Sequence, residues 1–263
     1  MKSYKIDRDK ILGNVIFVVE GGCAETGGTE LRLLKKIFAD ILGYEVQELR
    51  RGCDEFIGHG SNPHFRVFAL NLPKVQLTQM TDEALDAVYR RLRDEFKLSR
   101  PEECPIFYLY DRDYLSYKPN ELRGKYVRRY TDPYCNDEGY LGQLLLSYPA
   151  VESYLMSCIQ ENVFEQEYFL GRDLKPELIN LGFSEEDIET EDYLLHAAVE
   201  MDKGLNAYGL GEYDLDNLRP TLLGVYDYQQ QKCRTDGKFS LLSLISMALL
   251  ELGVIVECED DDE

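Results

Sequence analysis

Nothing in the 263 residues reads as C-x-x-C, as a G-x-S-x-G elbow, or as an unbroken apolar stretch of the ~20 residues a membrane span needs. The longest apolar-rich run, Phe239 to Val256, is interrupted by Ser240, Ser243, Ser246 and Glu251. The N-terminal MKSYKIDRDKILGN is charged, with neither the apolar segment nor the small-residue cleavage site of a signal peptide. These absences predict a cytosolic protein that stays off the membrane. The seven cysteines (Cys23, Cys53, Cys104, Cys135, Cys158, Cys233 and Cys258) are scattered and odd in number, so neither a disulfide framework nor a zinc ribbon is expected, and the thiols read as reduced. Histidine is scarce as well. His59 and His64 with Cys53 match no zinc spacing and lack a fourth ligand, His196 falls in an apolar helical pattern, and no Cys–His pair supports covalent hydrolysis.

Positive charge is missing from one half of the chain. Residues 1–130 hold 22 Lys+Arg against 20 Asp+Glu, whereas residues 131–263 hold 7 against 29, which leaves a net charge of −20. The overall field therefore repels nucleic acid. Any approach to it must use the near-neutral N-terminal half, metal ions or a basic partner. The acidic half suits either a docking surface for such a partner or a solubilising surface.

What is present is an alternation of short apolar runs with amphipathic stretches. Val15 to Val19 (VIFVV) is too short for a helix and suits a strand buried on both faces. The spacing of Leu31, Leu34, Ile37, Phe38 and Ile41 predicts a helix from Thr29 to Leu42, stopped by Gly43. HFRVFAL (64–70) alternates like a strand, Thr81 to Phe96 reads as a helix, and Ile106 to Tyr110 (IFYLY) as another buried strand. Lys125 to Tyr130 reads as a further strand and Gly142 to Ser147 as one more, with Pro149 in the first turn of a helix reaching Gln160. This alternation predicts an α/β layered fold with a mainly parallel sheet flanked by helices. Beyond residue 160 helical patterns dominate (Tyr193 to Met201, Ser240 to Leu252), with an extended piece at 253–256. Residues 161–256 thus read as a mostly helical acidic lobe and 257–263 as an acidic tail.

Ligands of open α/β sheets bind outside the carboxyl ends of the strands. Glu20 follows VIFVV directly, Asp111 and Asp113 follow IFYLY, and Glu152 comes just after GQLLLSY. Lone carboxylates at buried strand ends are costly, and converging ones raise one another's pKa. A divalent cation offsets both effects, and oxygen-only ligands favour Mg²⁺ or Mn²⁺ over zinc. One or two such ions are the usual machinery of phosphodiester hydrolysis. For any single strand-end acid a helix cap or a loop ion pair is the plainer explanation, so the signal lies in the order: strand-Glu-Gly, strand-D-x-D, strand-turn-Glu.

In that order VIFVVEGG and IFYLYDRD resemble the Toprim domain. More narrowly, with Ser147-Tyr148-Pro149-Ala150-Val151-Glu152 as the late element, the chain is similar to Toprim nucleases of the OLD class and to the effectors of PARIS-type phage-defence systems. The resemblance covers roughly residues 15–160, the stretch it marks as a Toprim-like catalytic domain (1–160). It implies Glu20, Asp111 and Asp113 as catalytic metal ligands and Glu152 as an accessory one. The acid that the family carries soon after its glutamate is here either Glu25 or Glu30. Glu30 is preferred, because Thr29-Glu30 opens the helix, where backbone N–H groups favour an anion. The glycines after Glu20 resemble a phosphate loop, but no G-K-[ST] follows, so no nucleotide-binding P-loop is read. Just after the D-x-D, YLSYKPNELRGKYVRRY interleaves Tyr114, Tyr117, Tyr126 and Tyr130 with Lys118, Arg123, Lys125, Arg128 and Arg129, which suits either nucleic-acid phosphates and bases or a charged edge strand.

The expectation is a magnesium-dependent nuclease acting on RNA or DNA. By resemblance it is the effector of an antiviral, anti-phage defence system held by an ABC- or AAA-type ATPase partner, with a homo-oligomer left open. Two rivals remain: a non-catalytic Toprim-shaped binding module, and a Mg²⁺-dependent phosphatase or phosphotransferase.

Overall fold

The computed structural model describes residues 2–20, 28–49, 53–58, 66–72, 89–94, 97–98, 100, 103–112, 118–134 and 142–258. The molecule is α/β, built on a mixed eight-stranded sheet flanked by helices. Four parallel strands form its centre: β2 (Val15–Glu20), β5 (Arg66–Leu72), β6 (Ile106–Asp111) and β8 (Gly142–Tyr148), in the order β8-β6-β2-β5. The expected parallel sheet is thus found at the centre, while the borders are antiparallel. On one side β4 (Cys53–Ile57) and β3 (Glu45–Leu49) extend the sheet beyond β5. On the other, β7 (Thr131–Asp132) and β11 (Leu242–Ser243) both pair with β8.

Two of the central strands, β2 and β6, are strands because they are apolar without alternation. Val15 to Val19 and Ile106 to Tyr110 are at most 1% exposed, so both faces of the sheet are covered. Phe17 stacks on Phe107 of the neighbouring strand (centroids 5.3 Å apart) and meets Phe38 of the covering helix at 5.6 Å. That helix, α1 (Thr29–Lys35), continues through wider π-type turns to Ile41 and buries Leu31, Leu33, Leu34, Ile37 and Phe38. It ends at Gly43, whose φ of +72° lets the Tyr44 N–H turn back to the Phe38 carbonyl at 2.8 Å. The expected strand at 64–70 is β5. Of the helix expected over 81–96, residues 89–94 are described and are helical.

Three local expectations are corrected. Residues 125–130 are not a strand: α2 (Pro119–Leu122) opens with proline in its first turn and runs on through wider turns to Val127. Leu122, Tyr126 and Val127 share the buried side, and a Glu121–Lys125 pair at 2.7 Å spans one turn of the solvent side. Pro149 does not sit in a helix. It follows a cis Tyr148–Pro149 bond, and α3 (Glu152–Ile159) starts three residues later. Ser240 to Leu252 is not one helix either, because β10 (Phe239–Ser240) and β11 precede α7 (Ile245–Glu251). The buried Gln229 amide satisfies the Ser240 carbonyl at 2.9 Å and its N–H at 3.1 Å, which holds that residue extended.

Residues 161–256 are mostly helical, with α4 (Gly171–Leu181), α5 (Glu191–Ala207), α6 (Leu218–Asp236) and α7. They share one hydrophobic core with the strands that precede them. β11 belongs to the central sheet, β10 pairs with β9 (Glu167–Tyr168), and β12 (Ile255–Glu257) pairs antiparallel with β1 (Tyr4–Ile6). The Tyr4 hydroxyl donates to buried Asp202 of α5 at 2.6 Å, which pins β1 to that helix. Cys104, Cys158, Cys233 and Cys258 are free thiols. Among the described residues no helix is long and apolar enough to cross a membrane.

Candidate functional site

The parallel register brings the strand-end acids to one edge. Val19 lies opposite Leu109 and Asp111 opposite Ser147, so the ends of β2, β6 and β8 are neighbours, with adjacent strands about 4.8 Å apart. Glu20 is placed there by its backbone alone. Asp113 and Glu25 lie outside the described residues.

Asp111 is half-buried, and its Oδ1 accepts the Val151 N–H at 2.7 Å. Val151 caps α3, so the carboxylate satisfies a backbone donor that the helix itself leaves open. Glu152, in the first turn of α3, is 5% exposed. Both acids line a cleft of about 220 Å³ whose other walls are Pro149, Ala150, Leu170, Gly171, Arg172 and Lys175. Thus β6 and the β8–α3 turn meet the start of α4.

The third element was missed. Lys175 Nζ stands 3.4 Å from Glu152 Oε1, and Arg172 lines the same cleft. Gly171 lets α4 approach this closely: a Cβ there would lie 2.3 Å from the Ala150 Cβ and 3.5 Å from Glu152 Oε2. Arg172 and Lys175 sit in the acidic half of the chain, where cations are few. Their scarcity there, among 7 Lys+Arg, was the only available signal.

Glu30 occupies the first turn of α1 and is 7% exposed, but it is not among the described residues that line the cleft. Nor do the described residues include a group of three or more His, Cys, Asp and Glu side chains able to hold a metal ion. Asp111 and Glu152 supply a pair of oxygen ligands, the donor type that suits Mg²⁺.

Two cations of the basic segment after the D-x-D are held in ion pairs. Arg123 makes a two-pronged ion pair with Asp227 of α6, both contacts at 2.7 Å, and Lys125 pairs with Glu121. The Arg123 and Lys125 pKa values are raised by these carboxylates. Lys118 and Arg128 are exposed and Arg129 is half-buried. Tyr126 and Tyr130 are core residues, Tyr130 set edge-on against Tyr108 at 5.3 Å, so neither is a platform for a base. Tyr114 and Tyr117 lie outside the described residues. His196 is structural: its Nδ1 meets the Ser157 carbonyl at 2.6 Å. The side chain of Cys53, and His59 and His64 entirely, lie outside the described residues.

Arg112, the middle residue of the D-x-D, is fully buried. Its N–H donates to the Ser147 carbonyl at 2.8 Å and its Nη2 to Gln230 Oε1 at 3.0 Å. The guanidinium carbon lies 5.6 Å from the Phe239 ring centre and 5.9 Å from that of Tyr226. The strand that carries Asp111 is therefore tied to α6 through the side chain of the very next residue.

Comparison with protein-family models, with curated proteins and with solved structures finds no match.

Proposed function

We propose that the chain is a metal-dependent phosphodiesterase with a Toprim-like site, a nuclease whose substrate is RNA or DNA. The observation that carries this reading is the cleft at the carboxyl ends of the parallel strands, where Asp111 and Glu152 stand beside Arg172 and Lys175. Carboxylates that would hold a cation, next to cations that would hold phosphate oxygens, are the complement a phosphodiester requires. Asp111 and Glu152, with Glu20 at the neighbouring strand end and Asp113 two residues on, would hold Mg²⁺ or Mn²⁺. Such an ion, when bound, supplies charge neutralisation and an activated water. Asp111 is held in place by the Val151 N–H. Lys175, whose Nζ lies 3.4 Å from Glu152 Oε1, and Arg172 would hold the phosphate oxygens.

By the resemblance of its motifs, the nuclease is the effector of a phage-defence system restrained by an ATPase partner, with the acidic C-terminal half as the docking surface. The Glu152–Lys175 ion pair favours a second reading, a non-catalytic module that binds an anion without cutting.

The test is Mn²⁺ binding and Mg²⁺-dependent cleavage of single- and double-stranded RNA and DNA by the full chain. Asp111→Asn and Glu152→Gln are expected to lose both, and Lys175→Met to lose cleavage while keeping the metal. Cleavage undiminished in Asp111→Asn sinks the proposal. Nucleic-acid binding without turnover supports the non-catalytic module, and turnover of an aryl phosphate alone supports a phosphatase.

A further inference from the structure

A second cleft, of about 500 Å³, opens between α2 and α6, within the size range of small-molecule sites. Most of this molecule's surface repels anions, since the net charge is −20. Here the local balance reverses. Arg123 and Arg234 line the cleft against one carboxylate, Asp227, and the guanidinium of buried Arg112 lies behind its wall, bonded to Gln230. Asp227 orients Arg123 without saturating it. The Nε and Nη2 atoms donate to its two oxygens at 2.7 Å each, and a guanidinium has five N–H donors, so the Nη1 side remains for another acceptor.

An independent observation points to a ligand. Gln230, in the cleft wall, is 6% exposed, and its Oε1 accepts from Arg112 while its Nε2 has no hydrogen-bond partner. Buried amide donors are nearly always satisfied in folded proteins, and an acceptor arriving from the cleft would satisfy this one with a small shift of the side chain.

We propose that this cleft binds a phosphate-bearing small molecule, with Arg234 and Arg123 on the phosphate oxygens and the Gln230 amide donating to a further acceptor of the ligand. Planar guanidinium forks match phosphate oxygens, and the volume leaves room for more than a bare phosphate. The ligand would lie one hydrogen bond from Arg112, the residue between Asp111 and Asp113.

The proposal stands apart from the nuclease reading and is tested without metal. The full chain, in chelator, is titrated calorimetrically with inorganic phosphate, adenosine monophosphate and a short single-stranded oligonucleotide. Saturable one-to-one binding of phosphate or the nucleotide is expected, weakened about tenfold or more by Arg234→Gln, which removes charge-assisted bonds. Asp227→Asn, which removes the repelling carboxylate, is expected to strengthen it. Binding of the oligonucleotide alone would assign the phosphate to a polymer backbone and overturn the small-molecule site. So would no binding of any probe, or binding unchanged in Arg234→Gln.

Discussion

Glu251 gives the most quantitative test of this structure. It ends α7 against β8, where the Gln143 amide donates to its Oε1 at 2.6 Å while its Oε2 is buried without a partner. Burial pushes its carboxyl up to about 8, against the hydrogen bond from Gln143 and with the Asp132 charge adding to the rise. Below the ordinary value of 4.5 both folded and unfolded chains carry the proton, and Glu251 has no pH-dependent effect. Between 4.5 and about 8 the unfolded chain releases the proton and the folded one keeps it, so stability falls as pH rises. At about 1.4 kcal/mol per pH unit, ionised Glu251 costs the fold on the order of 5 kcal/mol once pH passes the folded value. Glu251→Gln keeps the shape and an acceptor for Gln143 but never ionises. Urea denaturation of both proteins from about pH 5 to about pH 9 reads the difference. The variant is expected to match the parent at the acid end, to gain steadily toward pH 8, and to hold a constant advantage above it. A difference that stays the same across the whole range would refute the reasoning.

Two further substitutions address the site and its support. Gly171→Ala drives a Cβ to within 2.3 Å of Ala150; overpacking of this kind costs about 1–3 kcal/mol, and α4 must retreat from the Asp111 cleft. A lowered melting temperature together with weakened Mn²⁺ binding is expected, and an unchanged melting curve would show that α4 does not pack this closely. Arg112→Ala leaves a cavity and strips Gln230 Oε1 of its guanidinium donor, so it is expected to cost about 3 kcal/mol or more by denaturant unfolding, whereas Arg123→Ala, in an exposed ion pair, is expected to cost less than about 1 kcal/mol. Equal costs would mean that the buried arginine is not the link between β6 and α6.

Two central strands could be read from the chain alone because burial on both faces demands what VIFVV and IFYLY are: short, apolar and free of alternation. The first helix was equally plain, since the 3.6-residue spacing of its leucines and the glycine that ends it are local properties. The same holds for Glu20 and Asp111 as strand-end acids, because parallel strands put their carboxyl ends on one edge whatever the connections do. Local pattern failed where a distant partner decides the backbone. Ser240 is extended because the Gln229 amide and β9 hold it, and residues 123–127 turn because Tyr126 and Val127 must both be buried. The segment of Arg123 suits either nucleic-acid phosphates or a charged edge strand, and nothing local to it announces the Asp227 that α6 brings to it.

What the sequence determined by itself was the parallel centre of the sheet and the acids that end its strands. Only the tertiary structure decided what faces those residues: Lys175 beside Glu152, Arg172 in the same cleft, and Arg112 drawn away from the edge into the core. The reason is physical. Periodicity and strand register act over a few residues, whereas the partner of a charge is chosen by packing between elements that lie far apart in the chain.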